Sequence, residues 1–82
     1  MTVDTEKAEY AIFLKALAGF MNETLDTPKT LSQLYYGTRM HLKDADRDIF
    51  VLSKDVGWFR SYLKVVVDSG ILMEVDGLFH RI

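Results

Sequence analysis

The densest chemistry in this 82-residue chain is Asp44-Ala45-Asp46-Arg47-Asp48, whose D-x-D-x-D spacing opens like a calcium-binding loop. The rest of such a loop is missing. Ile49 stands where the sharp turn needs glycine, Leu52 fills a ligand position, and Asp55 stands where the bidentate glutamate belongs. The run therefore reads as a solvated acidic turn. His41 lies three residues before Asp44, which on a helix would let the carboxylate orient the imidazole, but the pair is half a site. His80 is far away in sequence. The absence of cysteine excludes thiolate zinc sites, iron–sulfur clusters, disulfides and a thiol nucleophile. No glycine-rich phosphate loop and no nucleophile elbow is present, and the glycines are scattered as caps and turns. Tyr10, Tyr35, Tyr36 and Tyr62 read as core and rim. The expectation is a non-catalytic binding module with no catalytic residue, no metal and no cofactor.

Ten basic and twelve acidic residues leave a net charge of −2, so nothing electrostatic marks the whole chain as a nucleic-acid binder. The 49% hydrophobic and 12% aromatic content suits one small folded domain spanning residues 1–82. The N-terminal stretch carries three acids and one base, the reverse of a signal peptide, and the longest apolar stretch, Tyr10–Met21, is broken by Lys15 and Gly19. A soluble, cytoplasmic protein without membrane contact is expected.

Tyr10, Phe13, Leu14, Leu17 and Met21 recur at helical spacing and predict a first helix from Glu6 to about Asn22, capped by Thr5. Glu6 and Glu9 in its first turn suit the helix dipole. Ile12 and Ala16 lie off the stripe. Asn22–Lys29, with Thr24, Asp26 and Thr27 before Pro28, is punctuation. Thr30-Leu31-Ser32-Gln33 matches a capping box and opens a second helix with Leu31, Leu34 and Tyr35 on its apolar face. Gly37 could end that helix, or it could run on through His41. Thr38–Leu52 is not placed by pattern: Ile49-Phe50-Val51-Leu52 fits a short buried strand or the last turn of a helix.

Ser53 can cap a further helix, with Asp55 in its first turn and Val56, Phe59, Leu63, Val66 and Val67 on its core face. Ser69-Gly70-Ile71 is a C-terminal stop, and Asp76-Gly77 between Ile71–Val75 and Leu78–Ile82 is a strong hairpin signal. The fold class that follows is α+β and mostly helical, with three or four helices closed by a C-terminal β-hairpin.

This order, ending in "VVVDSGIL" and "LMEVDGLFHRI", resembles the winged helix-turn-helix superfamily, whose third helix stops at a glycine and feeds a β-hairpin, the wing. The resemblance implies a winged-helix-like domain and a small DNA-binding regulator or accessory factor. In such a protein the exposed face of the third helix enters the major groove. Here that face is Lys54, Gly57, Trp58, Ser61, Lys64, Val65 and Asp68. Lys54, Ser61 and Lys64, with Arg81 on the wing, would contact duplex DNA, and a homodimer would let two weak half-sites add.

Two features point elsewhere. From Lys54 onward, four bases (Lys54, Arg60, Lys64, Arg81) are cancelled by four acids (Asp55, Asp68, Glu74, Asp76), and phosphate neutralisation supplies most sequence-independent affinity. Trp58 and Val65 are also anomalous on a groove-reading face, whereas tryptophan anchors protein interfaces. Trp58 becomes core if Ile49–Leu52 covers it. Arg60 is expected beside the core face with its stem over apolar surface. The competing reading is a small acidic protein-interaction module, of the kind phages and mobile elements use as inhibitors or adaptors. It would engage a protein partner, at that partner's nucleic-acid-binding surface for instance, through Trp58 and Val65 or through Asp44, Asp46 and Asp48.

Overall fold

The computed structural model describes residues 2–24 and 27–82, with side chains from residue 7 onward. The expected α+β, mostly helical architecture is observed, with four helices: α1 (Thr2–Glu23), α2 (Leu31–Met40), α3 (Asp44–Ser53) and α4 (Val56–Asp68). A hairpin of β1 (Leu72–Val75) and β2 (Leu78–Arg81) follows. The chain is already helical at Thr2, so the expected start at Thr5 falls inside α1. The side chains of Thr5 and Glu6, and all of Asp26, lie outside the described residues.

Phe13, Leu17 and Met21 of the α1 stripe are buried, and Tyr10 and Leu14 flank them. Ala16 is buried as well, although it stands off the stripe. The Thr24 hydroxyl donates to the carbonyls of Phe20 (3.1 Å) and Met21 (3.2 Å), closing acceptors that the end of α1 leaves open. At α2 both arms of the capping box form: Gln33 N–H donates to Thr30 Oγ1 at 3.2 Å, and Thr30 N–H donates to Gln33 Oε1 at 2.9 Å. Gly37 does not end the helix. It lets α1 approach, because a Cβ there would fall 2.5 Å from three ring carbons of Phe20. Arg47 then turns back over the end of α2, its guanidinium donating to the carbonyls of Arg39 (3.2 Å) and Leu42 (2.9 Å).

The unplaced stretch Thr38–Leu52 resolves into the end of α2, a short connection and α3. Of the two alternatives the helical one is observed: Ile49–Leu52 lies in the closing turn of the ten-residue α3. Only Phe50 of that block enters the core; Ile49 is 44% exposed and Leu52 85%. Ser53 is the last residue of α3 and not a cap. Asp55 caps α4 instead, its Oδ1 accepting from Trp58 N–H at 2.7 Å. Lys54 and Asp55 alone join α3 to α4, and the Tyr35 hydroxyl holds that connection by donating to the Lys54 carbonyl at 2.7 Å.

On α4, Phe59, Tyr62, Leu63 and Val66 are buried. Tyr62 was not among the residues expected on that face. Its hydroxyl donates to the Tyr10 carbonyl at 3.0 Å, and burial pushes the phenol's pKa upward, keeping it a neutral donor. The helix stops as expected: Ile71 N–H donates to the Val66 carbonyl and Gly70 N–H to the Val67 carbonyl, with Gly70 at φ +80°. Asp76 and Gly77 both carry positive φ, as a two-residue type I′ hairpin turn requires. Glu74 pairs with Phe79, and Phe79 exchanges both backbone bonds with Lys29 (2.7 and 3.0 Å), tying the entry of α2 to the outer edge of β2.

The core is an aromatic cluster. Phe50 packs against Phe13 and Tyr35, both at 5.0 Å between ring centroids, and against Phe59 at 5.9 Å. No helix among the described residues is long and apolar enough to cross a membrane.

Candidate interaction surfaces

The residues expected to contact DNA are split among three places. Lys54 precedes α4 and is turned inward: its Nζ lies 3.2 Å from Glu9 Oε1 and 4.9 Å from the centroid of the Trp58 ring. With its side chain only 18% exposed, it is held in an ion pair and a cation–π contact. Arg81 bonds Asn22 Oδ1 on the α1 side of the hairpin, beside a cleft of about 310 Å³ lined by Leu14, Leu17, Met21 and Ile71. Ser61 and Lys64 do stand together on the exposed face of α4. They border a groove of about 610 Å³ between α4 and the hairpin.

Arg60 is the third member of that row, and it is exposed and not laid on the core as expected. The burial of Tyr62 explains the difference. It turns the core face of α4 by about 40° from the axis set by Val56, Phe59, Leu63, Val66 and Val67, which carries Arg60 outward and Trp58 inward. A tyrosine three residues after Phe59 was the available signal. Two carboxylates border the same groove: Asp68, four residues after Lys64 on the same face of α4, and Glu74 across it on the hairpin.

Trp58 is half-buried. It meets Phe13 edge-on at 5.7 Å and stacks on Tyr62 at 5.2 Å. Phe50, from the block expected to cover it, lies 6.4 Å away. Trp58 therefore packs at the edge of the core with part of its ring exposed, and Val65 is half exposed. Asp44 and Asp48 are exposed, whereas Asp46 is partly covered beside Lys15, His41 and Lys43. Because Asp44–Asp48 forms the opening of α3, its carboxylates radiate from a helix and do not converge around a loop. Among the described residues no three His, Asp or Glu side chains are grouped to hold a metal ion.

His41 pairs with Glu23 and not with Asp44. Its Nε2 lies 2.8 Å from Glu23 Oε2, its Nδ1 lies 3.0 Å from the Gly37 carbonyl, and its ring meets Phe20 edge-on. Both ring nitrogens thus face acceptors, an arrangement only the imidazolium satisfies as a double donor. The Glu23 hydrogen bond raises the His41 pKa above 6.5, with the Gly37 carbonyl adding to it against a lowering from burial. A group with a raised folded pKa contributes stability that is complete below its unfolded pKa and lost as pH rises through the folded one. The melting temperature is expected to fall between about pH 6 and 8. His41→Gln, followed by thermal melts across that range, should flatten the slope; an unchanged slope would remove His41 from the account.

The feature no reading anticipated is an apolar stripe on the outward side of α3, beside the expected Asp44 and Asp48. Opposite Phe50, the helix carries Ala45, Ile49 and Leu52 at i, i+4 and i+7, all exposed. Val51 is half exposed, and Val56 stands 39% exposed at the start of α4. Four consecutive apolar residues hid this stripe, since such a run has no preferred face until the single buried member is known. Comparisons of the chain with protein-family models, curated proteins and solved structures find no match.

Proposed function

We propose that the chain is a non-catalytic protein-interaction module that docks its partner on the outward face of α3. The exposed Ala45–Ile49–Leu52 stripe carries this reading. An isolated exposed leucine means little, but a contiguous apolar stripe on one helix, ending in a leucine 85% exposed, is the usual mark of a docking surface.

Charge placement favours a protein over a duplex. If the chain bound a duplex as the winged-helix resemblance implies, the duplex would lie against the exposed face of α4. Its phosphates would then meet Asp44 and Asp48 on α3, Asp55 at the cap of α4, and Glu74 and Asp76 on the hairpin. Arg60 and Lys64 offset only part of that, with Lys54 engaged by Glu9. The exposed Arg60–Ser61–Lys64 row is the one observation that favours the second reading, a small winged-helix DNA-binding regulator.

Fluorescence anisotropy of a labelled mixed-sequence duplex, titrated with the protein at about 50 and 200 mM salt, separates the two. The expected result is no binding at either salt. Binding that weakens steeply with salt, by about 0.9 log units per log of salt for each phosphate contact, and that is lost in Lys64→Ala, would replace the first reading with the second.

A further inference from the structure

The geometry points to a basic amphipathic helix as the partner segment that occupies the outward face of α3, an inference that rests on the docking role proposed above. Two parallel ribbons run along that face. One is apolar: Ala45, Ile49 and Leu52. The other is acidic: Asp44 and Asp48 lie beside it on the same exposed half of the helix, and Asp55 follows at the cap of α4.

The acids Asp44, Asp48 and Asp55 outnumber the cations beside these ribbons, Lys43 and Arg47. Arg47 donates to the neutral carbonyls of Arg39 and Leu42, keeps its charge and pairs with Asp44 at 3.6 Å, which leaves Asp48 and Asp55 to carry the negative character of the ribbon. Lys54 is held between Glu9 and Trp58. Lys43, exposed at the N-terminal end, is the remaining positive group beside the stripe. The face is therefore apolar on one side and negative on the other, and its complement is apolar residues flanked by Lys or Arg.

The occupant is helical for geometric reasons. A helix surface offers no unpaired ladder groups, so a strand cannot extend it by backbone pairing. It does offer ridges at i, i+4 and i+7, which a second helix meets with residues at the same spacing. Ala45 is small and permits close approach at one end, while Ile49 and Leu52 supply the buried contact. An anionic lipid surface or a nucleic-acid backbone would be repelled by Asp44 and Asp48. A second copy of this chain offers its exposed α4 face, with Arg60 and Lys64, as a head-to-tail contact and not as a symmetric pair, and the α3 faces of two copies would oppose acid to acid.

The test is a titration of the full isotope-labelled chain with three synthetic helices of about 18 residues, followed by amide chemical shifts. All three share one leucine pattern at i, i+3, i+4 and i+7. They differ in their flanks, which are Lys/Arg, Gln or Glu. The Lys/Arg peptide is expected to bind most tightly, with shifts concentrated on residues 45–56. Asp44→Asn with Asp48→Asn should weaken it about three- to tenfold, as expected for two exposed charge pairs. Leu52→Asp should abolish it; both sets of changes lie on exposed positions, and a melt checks that each variant stays folded.

Equal binding of the Glu-flanked peptide would overturn the basic partner while leaving α3 as a docking face. Shifts located elsewhere, or no binding by any of the three, would remove both. A sedimentation coefficient that rises with protein concentration in the parent chain, and not in Leu52→Asp, would assign the face to a second copy and overturn the inference.

Discussion

Phe50→Ala is expected to destabilise the domain by about 3–5 kcal/mol, whereas Leu52→Ala, two residues along the same helix, should change stability by no more than about 0.5 kcal/mol. Phe50 is fully buried and sits where α1, α2, α3 and α4 converge, its ring against Phe13, Tyr35, Phe59 and Trp58. Removing it deletes the apolar transfer term and leaves a hole lined by rigid aromatic side chains, which relax poorly into a void. A small core such as this supplies only about 3–5 kcal/mol in total, so the variant should be largely unfolded at room temperature. Leu52 has no such neighbours. The contrast is a test of the rotation of α3 about its axis, which no local sequence signal fixed. Equal costs at the two positions, read by urea unfolding, would mean that α3 is turned differently.

The second large effect is Trp58→Ala, expected to cost about 2–4 kcal/mol, somewhat less than a fully buried tryptophan because part of the ring reaches solvent. The loss has two sources. The indole stacks on Tyr62 and meets Phe13 edge-on, contacts worth about 0.5–1.5 kcal/mol each beyond their buried area. It also lies under the Lys54 ammonium, which would keep Glu9 but lose the ring face. Trp58→Phe retains an aromatic contact with Phe13 and should recover at least half of the loss. Thermal melts of the three proteins decide it: a drop of under about 1 kcal/mol for Trp58→Ala would return the side chain to the surface and revive it as an interface anchor.

What was legible in the sequence was local. The Thr30–Gln33 capping box, the stop at Gly70 and the Asp76-Gly77 turn each depend on residues within five positions of one another, and all three are observed. What was not legible depended on distant partners. Glu9 captures Lys54 from 45 positions away in sequence and holds it inward, off the exposed face expected for it. Glu23 takes His41 from the nearer Asp44 in the same way. The block Ile49–Leu52 stays undecided in the sequence for another reason. A run that is apolar on every side satisfies strand and helix equally, and only the aromatic rings of α1, α2 and α4 select Phe50 as its inward member. Choosing Ser53 over Asp55 as a cap was a consequence, since α3 runs through Ser53 and leaves Asp55 as the first residue free to accept from α4.

The backbone exchange between Lys29 and Phe79 also bears on the order in which the domain is made. All four helices precede residue 70, yet Leu72 and Phe79 are part of the core, and Lys29 has its ladder partner only once β2 is present. A chain still being synthesised can form its helices as they emerge, but it cannot close this core until Leu72 and Phe79 have also left the ribosome.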